Sequence, residues 1–484
     1  MNNNISEKEK SHNRLKWVFR NLKLESQYGK NALSEIKAYK NSEKPELEKC
    51  FSELNNIISV FKIQKDLFGK FNNYFMELRN IAGSVKNLSA NQTLNETELF
   101  EIKNFSILVT DIIELATKEN ILSDSLKMLN LKPVINLLNP DKIVTRSFYI
   151  HENWSDKLKG IRESKKQIEA EIIAEKDSLK KEELRAKRGE IVALEHEEEL
   201  AVRKELTQKL KTFEKDLRFA INNIGYFELT LAKAEMAAKN NCCIPDLYDF
   251  NPKNQILIEE AVEPEIAETL QTNQRTFTPV SIEIEKGVTL LTGANMGGKS
   301  VALRTIALNV ELVRFGFLPF AKKMSLFIPD FVKVISGDLQ DAKEGLSSFG
   351  AEIVELTELL NLLDCGNGLA VCDELARSTN PYEGSRFVQA LSDRLQSSSS
   401  YGIIATHYDG IKTEGASYYQ VTGLRALLEN GSDLRSINDC DLYKLMDYHL
   451  IKSANASIVP HEALRISMLL GLPESFVEKL KKYY

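Results

Sequence analysis

Apolar residues in the first part of the chain recur at the spacing of α-helices. Leu15, Val18, Phe19 and Leu22 are three or four residues apart, which places them on one helical face. Stretches rich in Asn, Ser and Lys, such as residues 86–96, interrupt this pattern and predict loops. Residues 1 to about 150 are therefore predicted to form a helical scaffold without chemistry of its own.

A longer apolar repeat follows between residues 154 and 224. Its members are spaced by threes, fours and sevens, with a polar interruption at residues 180–190. This pattern predicts two long helices that fold back as an antiparallel lever or coiled-coil arm. Residues 151–212 carry 15 Lys and Arg against 15 Asp and Glu. The arm is thus neutral, whereas an arm that grips duplex DNA is expected to show surplus positive charge.

The pattern changes near residue 245. Pro residues and short β-branched runs, such as residues 256–258 and 280–282, predict strands and turns. The predicted fold class is therefore α + α/β. A helical core with its arm occupies residues 1–245, and an α/β domain of the P-loop type occupies residues 246–484 and ends in a helical segment.

The stretch 293–300, GANMGGKS, fits the phosphate-loop pattern G-x-x-x-x-G-K-[ST]. It lies between a predicted strand at 287–292 and a predicted helix at 301–315, as that pattern requires. Glycines let successive N–H groups turn towards phosphates, at the positive end of the following helix. Lys299 is expected to reach the β- and γ-phosphates, and Ser300 to ligate Mg²⁺. The predicted triphosphate site comprises Gly293, Asn295, Met296, Gly297, Gly298, Lys299, Ser300 and Val301.

Two acids follow a second apolar run. Residues 368–372 are small or apolar and lead into Asp373 and Glu374, as expected for a buried parallel strand with carboxylates at its carboxyl end. Asp373 is predicted to hold the metal ion through its water shell. Glu374 is predicted to accept the proton of the attacking water.

Two further motifs complete the predicted site. The apolar run 403–405 leads into Thr406 and His407, and His407 is predicted to sense the γ-phosphate, although a lone His is more often structural. Ser347 and Ser348 precede a predicted helix at 350–363. Because a helix N-terminus with free N–H groups attracts anions, these serines are predicted to serve a neighbouring chain's nucleotide. A simple helix cap is the alternative.

Composition narrows the function classes only slightly. The formal net charge is −6, so the chain has no global basic field of the kind that marks many nucleic-acid-binding proteins. Its six Cys residues show no zinc spacing, which favours idle thiols in a reducing compartment. Neither a signal-peptide core nor an apolar run of about 18 residues is present. We expect a cytoplasmic protein without a membrane partner.

These motifs together resemble the MutS family, whose ATPase domain is of the ABC type. Residues 292–300 look like the family's TGPNMGGKS, residues 373–384 like its DE(I/L)GRGT stretch, residues 347–349 like its STF signature, and Thr406-His407 like its TH. The resemblance implies an ATP hydrolase that uses ATP and Mg²⁺ and works as a homodimer with composite ATP sites. It implies a shortened member, without mismatch-recognition or nuclease domains.

Several positions depart from the family pattern. Ala294 replaces a Pro, Val301 a Thr, and Ala376 and Ser378 two glycines, which leaves the geometry of the partner-facing loop open. Gln340, after the predicted strand around Ile335, is expected to couple the ATP site to the helical arms.

The target is open between two classes. MutS relatives act on duplex DNA, which predicts a DNA-binding ATPase in mismatch repair or recombination. Shortened MutS-like ATPases also resemble the ATPase of systems that reactivate cobalamin-dependent aminomutases, which predicts a protein partner such as an aminomutase with an accessory subunit. The neutral arm favours the protein partner.

Overall fold

The computed structural model describes residues 14–139, 150, 152–293, 297–336, 348–423, 446–453, 464, 467–468 and 471–483. The described helices are α1 (Lys16–Asn21), α2 (Gln27–Ser34), α3 (Lys44–Ile63), α4 (Leu67–Glu77), α5 (Ala82–Ser89), α6 (Glu96–Lys118), α7 (Asp124–Lys127), α8 (Lys132–Leu138), α9 (Asp156–Ala174), α10 (Ser178–Lys211), α11 (Glu214–Lys239), α12 (Pro264–Thr272), α13 (Lys299–Arg314), α14 (Ser348–Cys365), α15 (Pro381–Ser397) and α16 (Glu474–Lys481). The described strands are β1 (Asp246–Leu247), β2 (Ile256–Ala261), β3 (Val280–Ile284), β4 (Gly287–Thr292), β5 (Lys323–Leu326), β6 (Val332–Ser336), β7 (Leu369–Asp373), β8 (Tyr401–Ala405), β9 (Ser417–Gly423) and β10 (Asp447–Lys452).

The chain divides into two compact units, and each unit is built from more than one segment of the sequence. The first unit consists of Met1–Asn21, Lys37–Asn55 and Met236–Tyr484, and the second of Leu22–Ile36 and Asn56–Glu235. Two segments from the N-terminal part of the chain thus belong to the unit that contains the strands. The linear domain boundary near residue 245 stays a prediction.

Two mixed sheets form the first unit. The larger has the strand order β10-β9-β4-β8-β7-β6, and the smaller has the order β1-β5-β2-β3. Between β9 and β6 all neighbours in the larger sheet are parallel, so the carboxyl ends of β4, β7 and β8 meet at one edge. These strands are almost entirely buried, as expected for parallel strands covered on both faces. The predicted α/β architecture is confirmed for this part of the chain.

The apolar core of the larger sheet lies between its strands and two helices. Leu290 of β4, Leu359 of α14, Leu391 of α15 and Ile404 of β8 belong to one buried cluster. Their exposed fractions are 3% or less. This packing fixes the ends of β4, β7 and β8 relative to one another, and those ends carry the predicted site.

The N-terminal segment is tied to the helix that follows the phosphate loop. Arg14 forms an ion pair with Glu311 of α13, whose side chain is fully buried. Arg314 also pairs with Glu311, at 3.1 Å, and donates a hydrogen bond to the carbonyl of Asp330. The N–H of Tyr39 donates to the carbonyl of Arg314 at 2.7 Å. Buried charges need such partners, which explains why these N-terminal residues belong to the first unit.

The second unit is helical and contains an antiparallel helix pair. The ion pairs between α9 and α10 show that the two helices are antiparallel. Arg162 near the start of α9 pairs with Glu195 and Glu199, and Glu169, further along α9, pairs with Arg188 nearer the start of α10. Both helices were expected, but their boundaries were wrong. The chain turns at residues 175–177, α10 is continuous through the polar run 180–190, and the apolar residues of 217–224 belong to α11.

The physical reason is that Lys, Glu, Arg and Ala are strong helix formers, so a polar run in a surface helix does not break it. The helix hairpin is therefore α9 and α10, residues 156–211, rather than 154–224. Its use as a lever or coiled-coil arm stays a prediction.

A tight contact between α2 and α11 organises the second unit. Gly225 of α11 faces the backbone of Tyr28, where an added Cβ would lie 2.5 Å from the carbonyl oxygen. One turn further along, the buried carboxylate of Glu228 accepts hydrogen bonds from the N–H groups of Glu25 and Ser26 and from the Ser26 hydroxyl. Burial raises the pKa of Glu228, and these hydrogen bonds oppose the rise. The contact requires glycine at residue 225.

Gly225→Ala is therefore expected to lower the free energy of unfolding by about 1–3 kcal/mol, the range for overpacked sites. Gly189→Ala is the matched control, because Gly189 lies in α10 with nothing within 4 Å of an added Cβ. Alanine there is expected to raise stability by about 0.5–1 kcal/mol. Urea denaturation followed by circular dichroism measures both. A Gly225→Ala protein as stable as the wild type would contradict the close approach.

Candidate nucleotide-binding site

The phosphate-loop stretch connects β4 to α13 at the carboxyl edge of the larger sheet. Gly293 and Gly298 have φ values of +144° and +83°, a region that favours glycine. A Cβ on Gly298 would lie 2.9 Å from Cδ1 of Tyr448, and one on Gly293 would lie 3.1 Å from Cβ of Val421. The described part of the loop thus needs glycine both for its backbone conformation and for space.

Lys299 is buried at the start of α13. Its side chain is 4% exposed, and Nζ donates to the carbonyl oxygen of Gly293 at 3.0 Å. Nζ also lies 3.7 Å from Oε1 of Glu374. Burial lowers the pKa of Lys299, while the carboxylates of Glu374 and Asp373 oppose that change. The ammonium group is therefore held between the loop and the acidic pair, where phosphate oxygens could replace those partners.

The acidic pair ends β7 as the sequence predicts. Asp373 is in register with Ser336 of β6 and Ala405 of β8. Glu374 has a φ of +50°, and its N–H donates to the carbonyl of Ala405 at 3.0 Å. Strained, left-handed non-glycine residues cluster at functional sites. Here the turn aims the Glu374 carboxylate at Lys299.

Ser300 and Asp373 are the residues predicted to hold a divalent ion. Both residues line one cavity of about 560 Å³, together with Ser336. Hydroxyl and carboxylate oxygens are hard ligands, and Mg²⁺ usually takes one or two protein carboxylates together with water and phosphate rather than a complete protein cage. Among the described residues, no group of three or more His, Cys, Asp or Glu side chains could hold a metal ion. The donor set thus agrees with the predicted Mg²⁺.

A second cavity adjoins the phosphate loop on its other side. It has a volume of about 650 Å³ and is bordered by Gly298 and Val301 of the loop region. Its walls are largely apolar and include two aromatic rings, Phe277 and Tyr448. Such a slot beside the phosphates suits a planar base, because aromatic faces stack on bases. Sequence reasoning did not bring these two aromatic residues together, since β10 and the segment before β3 are far apart in the chain.

His407 lies at the same sheet edge, directly after β8. Its ring packs against the ring of Tyr408, with centroids 4.4 Å apart. The N–H of Thr406 donates to the carbonyl of Leu291 in β4 at 3.1 Å. This bond fixes the end of β8 beside the phosphate-loop strand. The sensor role of His407 stays a prediction.

Four predicted site residues lie outside the described residues: Asn295, Met296, Gln340 and Ser347. Ser348 is the first residue of α14. The structure therefore brings together Gly293, Lys299, Ser300, Asp373 and Glu374, while the proposed contact with a neighbouring chain remains untested. The helix predicted at 350–363 and the helix predicted at 301–315 are both confirmed, as α14 and α13.

The described part of this arrangement has the geometry expected of a P-loop α/β domain. In comparison with known proteins, residues 289–483 match the family model MutS domain V. The chain is 27% identical over 444 residues to "Endonuclease MutS2" of Fusobacterium nucleatum, covering 88% of this chain and 53% of that protein. It is 30% identical over 251 residues to "DNA mismatch repair protein MutS" of Methanococcoides burtonii, covering 50% of this chain and 27% of that protein.

The chain is thus similar to MutS and MutS2 proteins. The chain spans about half the length of the Fusobacterium relative, and less of a 26% identical "Endonuclease MutS2" of Thermomicrobium roseum, of which it covers 37%. Within the part of the chain that the structure describes, no helix is long and apolar enough to cross a membrane.

Proposed function

We propose that this chain binds ATP with Mg²⁺ at the loop 293–300 and hydrolyses it. The observation that carries the proposal is the position of Lys299, which is buried with Nζ between the loop carbonyl of Gly293 and the carboxylate of Glu374. A buried ammonium at this point gives a triphosphate a charged partner at the N-terminus of α13. The apolar slot beside Gly298 provides the place for the base.

Each residue has a separate task in this mechanism. Lys299 exchanges its bonds to Gly293 and Glu374 for phosphate oxygens when the nucleotide binds. The Glu374 carboxylate, released from that ion pair, then orients the attacking water and accepts its proton. Bound Mg²⁺, held by Ser300 and Asp373, would neutralise charge on the phosphates. His407 follows the state of the γ-phosphate from the neighbouring strand end.

We also propose that two chains form a homodimer with composite ATP sites. In each site the loop of one chain would face Ser347 and Ser348 of the other. Support comes from exposed side chains of α15, the helix whose Phe387 ring packs edge-to-face on Phe349 of α14 with centroids 5.7 Å apart. Tyr382 on α15 is 69% exposed and lies under the guanidinium of Arg386 at 5.1 Å. Exposed Tyr and Arg side chains are typical anchors of protein interfaces.

For the target we favour duplex DNA, as the names of the relatives suggest. The hairpin is neutral in total, but its charges are segregated. Near its base, Glu195, Glu198 and Glu199 pair with basic residues. Residues 176–188, at the turn and the start of α10, carry six Lys and Arg against three Asp and Glu. The Lys and Arg side chains of this stretch suit phosphate contacts, although Glu169, Glu171 and Glu175 at the adjoining end of α9 bring residues 169–188 to six basic and six acidic residues.

The second candidate target is a folded protein, such as a cobalamin-dependent aminomutase with an accessory subunit. The observation that favours it is a pair of exposed apolar residues on either side of the hairpin turn. Ile173 is 83% exposed and Leu179 is 75% exposed. Exposed apolar residues at a tip suit a protein partner better than a phosphate backbone. With either target, ATP would drive work only if the ATP-bound and ADP-bound states of the chain bind that target with different affinity.

Charge reversal at the tip separates the two targets. The triple variant Lys180→Glu, Lys181→Glu, Arg185→Glu is expected to weaken duplex binding, and to make the salt dependence shallower by roughly three units, since each phosphate contact contributes about 0.9. Labelled homoduplex and mismatched DNA, titrated over a salt series, provide the measurement.

The control is the reversal of three exposed lysines elsewhere in the second unit, Lys62, Lys65 and Lys70, which changes the net charge equally. DNA binding that both variants weaken equally would contradict a specific tip contact. If duplex binding is weaker than about 10⁻⁴ M at physiological salt, below the usual non-specific range, the protein target is favoured instead.

A further inference from the structure

Glu352 is a buried acid whose two carboxylate oxygens both hold one loop. Its side chain lies one turn into α14, and the residue is 2% exposed. Oε2 accepts a hydrogen bond from the N–H of Ala376 at 2.7 Å, and Oε1 accepts one from the hydroxyl of Ser378 at 2.8 Å. A buried carboxylate requires such donors. The loop after Glu374 is therefore anchored to the helix that begins at Ser348.

Tyr408 holds the same loop from the other side. Its hydroxyl donates to the carbonyl oxygen of Ala376 at 2.9 Å. Gly384 makes room for this bond, because a Cβ there would lie 2.3 Å from the Tyr408 hydroxyl. Burial, followed by the carboxylates of Glu352 and Glu374, raises the pKa of Tyr408, so the phenol remains a donor. Ala376 thus has its N–H and its C=O fixed by two different elements.

The backbone conformation of this loop depends on those bonds. Glu374 and Ala376 have φ values of +50° and +60°, in a left-handed region that costs energy for residues other than glycine. Ala376 and Ser378 replace two glycines of the sequence pattern that the chain resembles. The loop therefore lacks the backbone conformational freedom that glycine has at positive φ. Side chains that hold both polar groups of Ala376 supply the constraint that such a conformation needs.

We propose that Glu352 and Tyr408 are positioning residues that couple His407 to the partner-facing loop 375–379. Tyr408 directly follows His407, and their rings are in tilted contact with centroids 4.4 Å apart, so a shift of His407 moves the hydroxyl that holds Ala376. Glu352 of α14 holds Ala376 and Ser378 of the same loop. The ring contact of His407 and the hydrogen bonds of Tyr408 and Glu352 thus connect the proposed γ-phosphate sensor, the loop and α14. This inference rests on the proposed composite ATP site, and it adds the contacts by which the sensor acts on the loop.

Tyr408→Phe and Glu352→Ala test the coupling. Both are expected to lower kcat for ATP by roughly 10- to 100-fold, the scale of a small misplacement of catalytic groups, with KM changed by no more than about twofold because the phosphate loop is untouched. Glu352→Gln should restore most of the rate, because its amide oxygen accepts from Ala376 and its NH₂ donates to Ser378. Tyr401→Phe is the matched control, since it removes a hydroxyl bond of similar length, 2.8 Å to the carbonyl of Asn254, at the other end of β8.

Hydrogen exchange of the peptide 373–379 gives a second readout, independent of hydrolysis. In nucleotide-free protein its amides should exchange at least about tenfold faster in Tyr408→Phe and Glu352→Ala than in the wild type and in Tyr401→Phe, because hydrogen-bonded amides exchange only on opening. Unchanged exchange overturns the inference. So does faster exchange with wild-type kcat, which would mean a merely structural role.

The two proposals fail separately. A wild-type chain that neither binds nor hydrolyses ATP would contradict the proposed function, and the exchange measurement would still decide whether Glu352 and Tyr408 position the loop. A wild-type chain that hydrolyses ATP, with the Glu352 and Tyr408 variants indistinguishable from it in kcat, would contradict only the coupling.

Discussion

Glu374→Gln is expected to abolish most ATP hydrolysis while ATP still binds. The glutamine amide cannot accept the proton of the attacking water, and general-base catalysis is typically worth about 10²–10⁴-fold in rate. The loop 293–300 and Lys299 remain intact, so the phosphate cradle is preserved. The ion pair with Lys299, at 3.7 Å, is lost in the free protein but is also given up when the nucleotide binds.

Single-turnover release of labelled phosphate and binding of a fluorescent ATP analogue measure the two properties separately. Glu414→Gln serves as the control, because Glu414 is an exposed carboxylate after β8 and should leave both unchanged. A Glu374→Gln protein that retains more than half of the wild-type turnover would contradict the assignment of Glu374 as the base.

Mixing two inactive chains is expected to restore hydrolysis if the ATP site is composite. Lys299→Ala removes the phosphate-loop side of a site, and Ser347→Arg blocks the side contributed by the neighbour. In a mixed dimer one site carries both lesions and the other carries neither. Random pairing makes roughly half of the dimers mixed, so recovery should reach up to about a quarter of the wild-type rate for a symmetric two-site dimer.

The control mixture combines Lys299→Ala with Glu374→Gln. Both residues lie on the phosphate-loop side, so every site in that mixed dimer carries a lesion and no activity should return. Equal recovery in both mixtures would contradict the composite site. Absence of recovery in the first mixture, with mixed dimers demonstrated by mass, would do the same.

The position of the candidate site at the sheet edge could be predicted from the sequence because its signals are local. The strand before the loop, the loop itself and α13 are contiguous, and the apolar runs that end in Asp373 and His407 each show where a buried strand stops. Parallel strands place those ends at one edge, so the convergence of the strand ends followed from the pattern, whereas the contact of Lys299 with Glu374 was not predicted. Exact distances did not follow from the pattern, because they depend on how the core packs.

Contacts between distant parts of the chain could not be predicted from the sequence. Nothing in the pattern around Arg14 indicates that it pairs with the buried Glu311, and therefore that the N-terminal segment belongs to the first unit. Phe277 and Tyr448 line one slot although they are separated by most of the α/β domain. Glu352 looks like an ordinary acid of a helix until its two partners in the loop after Glu374 are seen.

The boundaries of the helix hairpin were predicted wrongly for a different reason. A polar run was interpreted as a loop, although Lys, Glu and Arg continue a helix readily when one side is exposed. The total charge of the hairpin also hides a local difference, because residues 176–188 at the start of α10 carry six Lys and Arg against three Asp and Glu. Patterns of charge along a helix indicate function only when it is known which charges are already paired.

The most direct test of the central claim is ATP hydrolysis by the wild-type chain and by Lys299→Ala, measured at equal concentration with Mg²⁺. The account predicts saturable, Mg²⁺-dependent phosphate release by the wild type. Lys299→Ala should fall to the background rate and lose measurable ATP affinity, because a buried charged partner of the phosphates is removed. A Lys299→Ala chain that hydrolyses ATP at the wild-type rate and with the wild-type KM would contradict the claim that this loop is the ATP site.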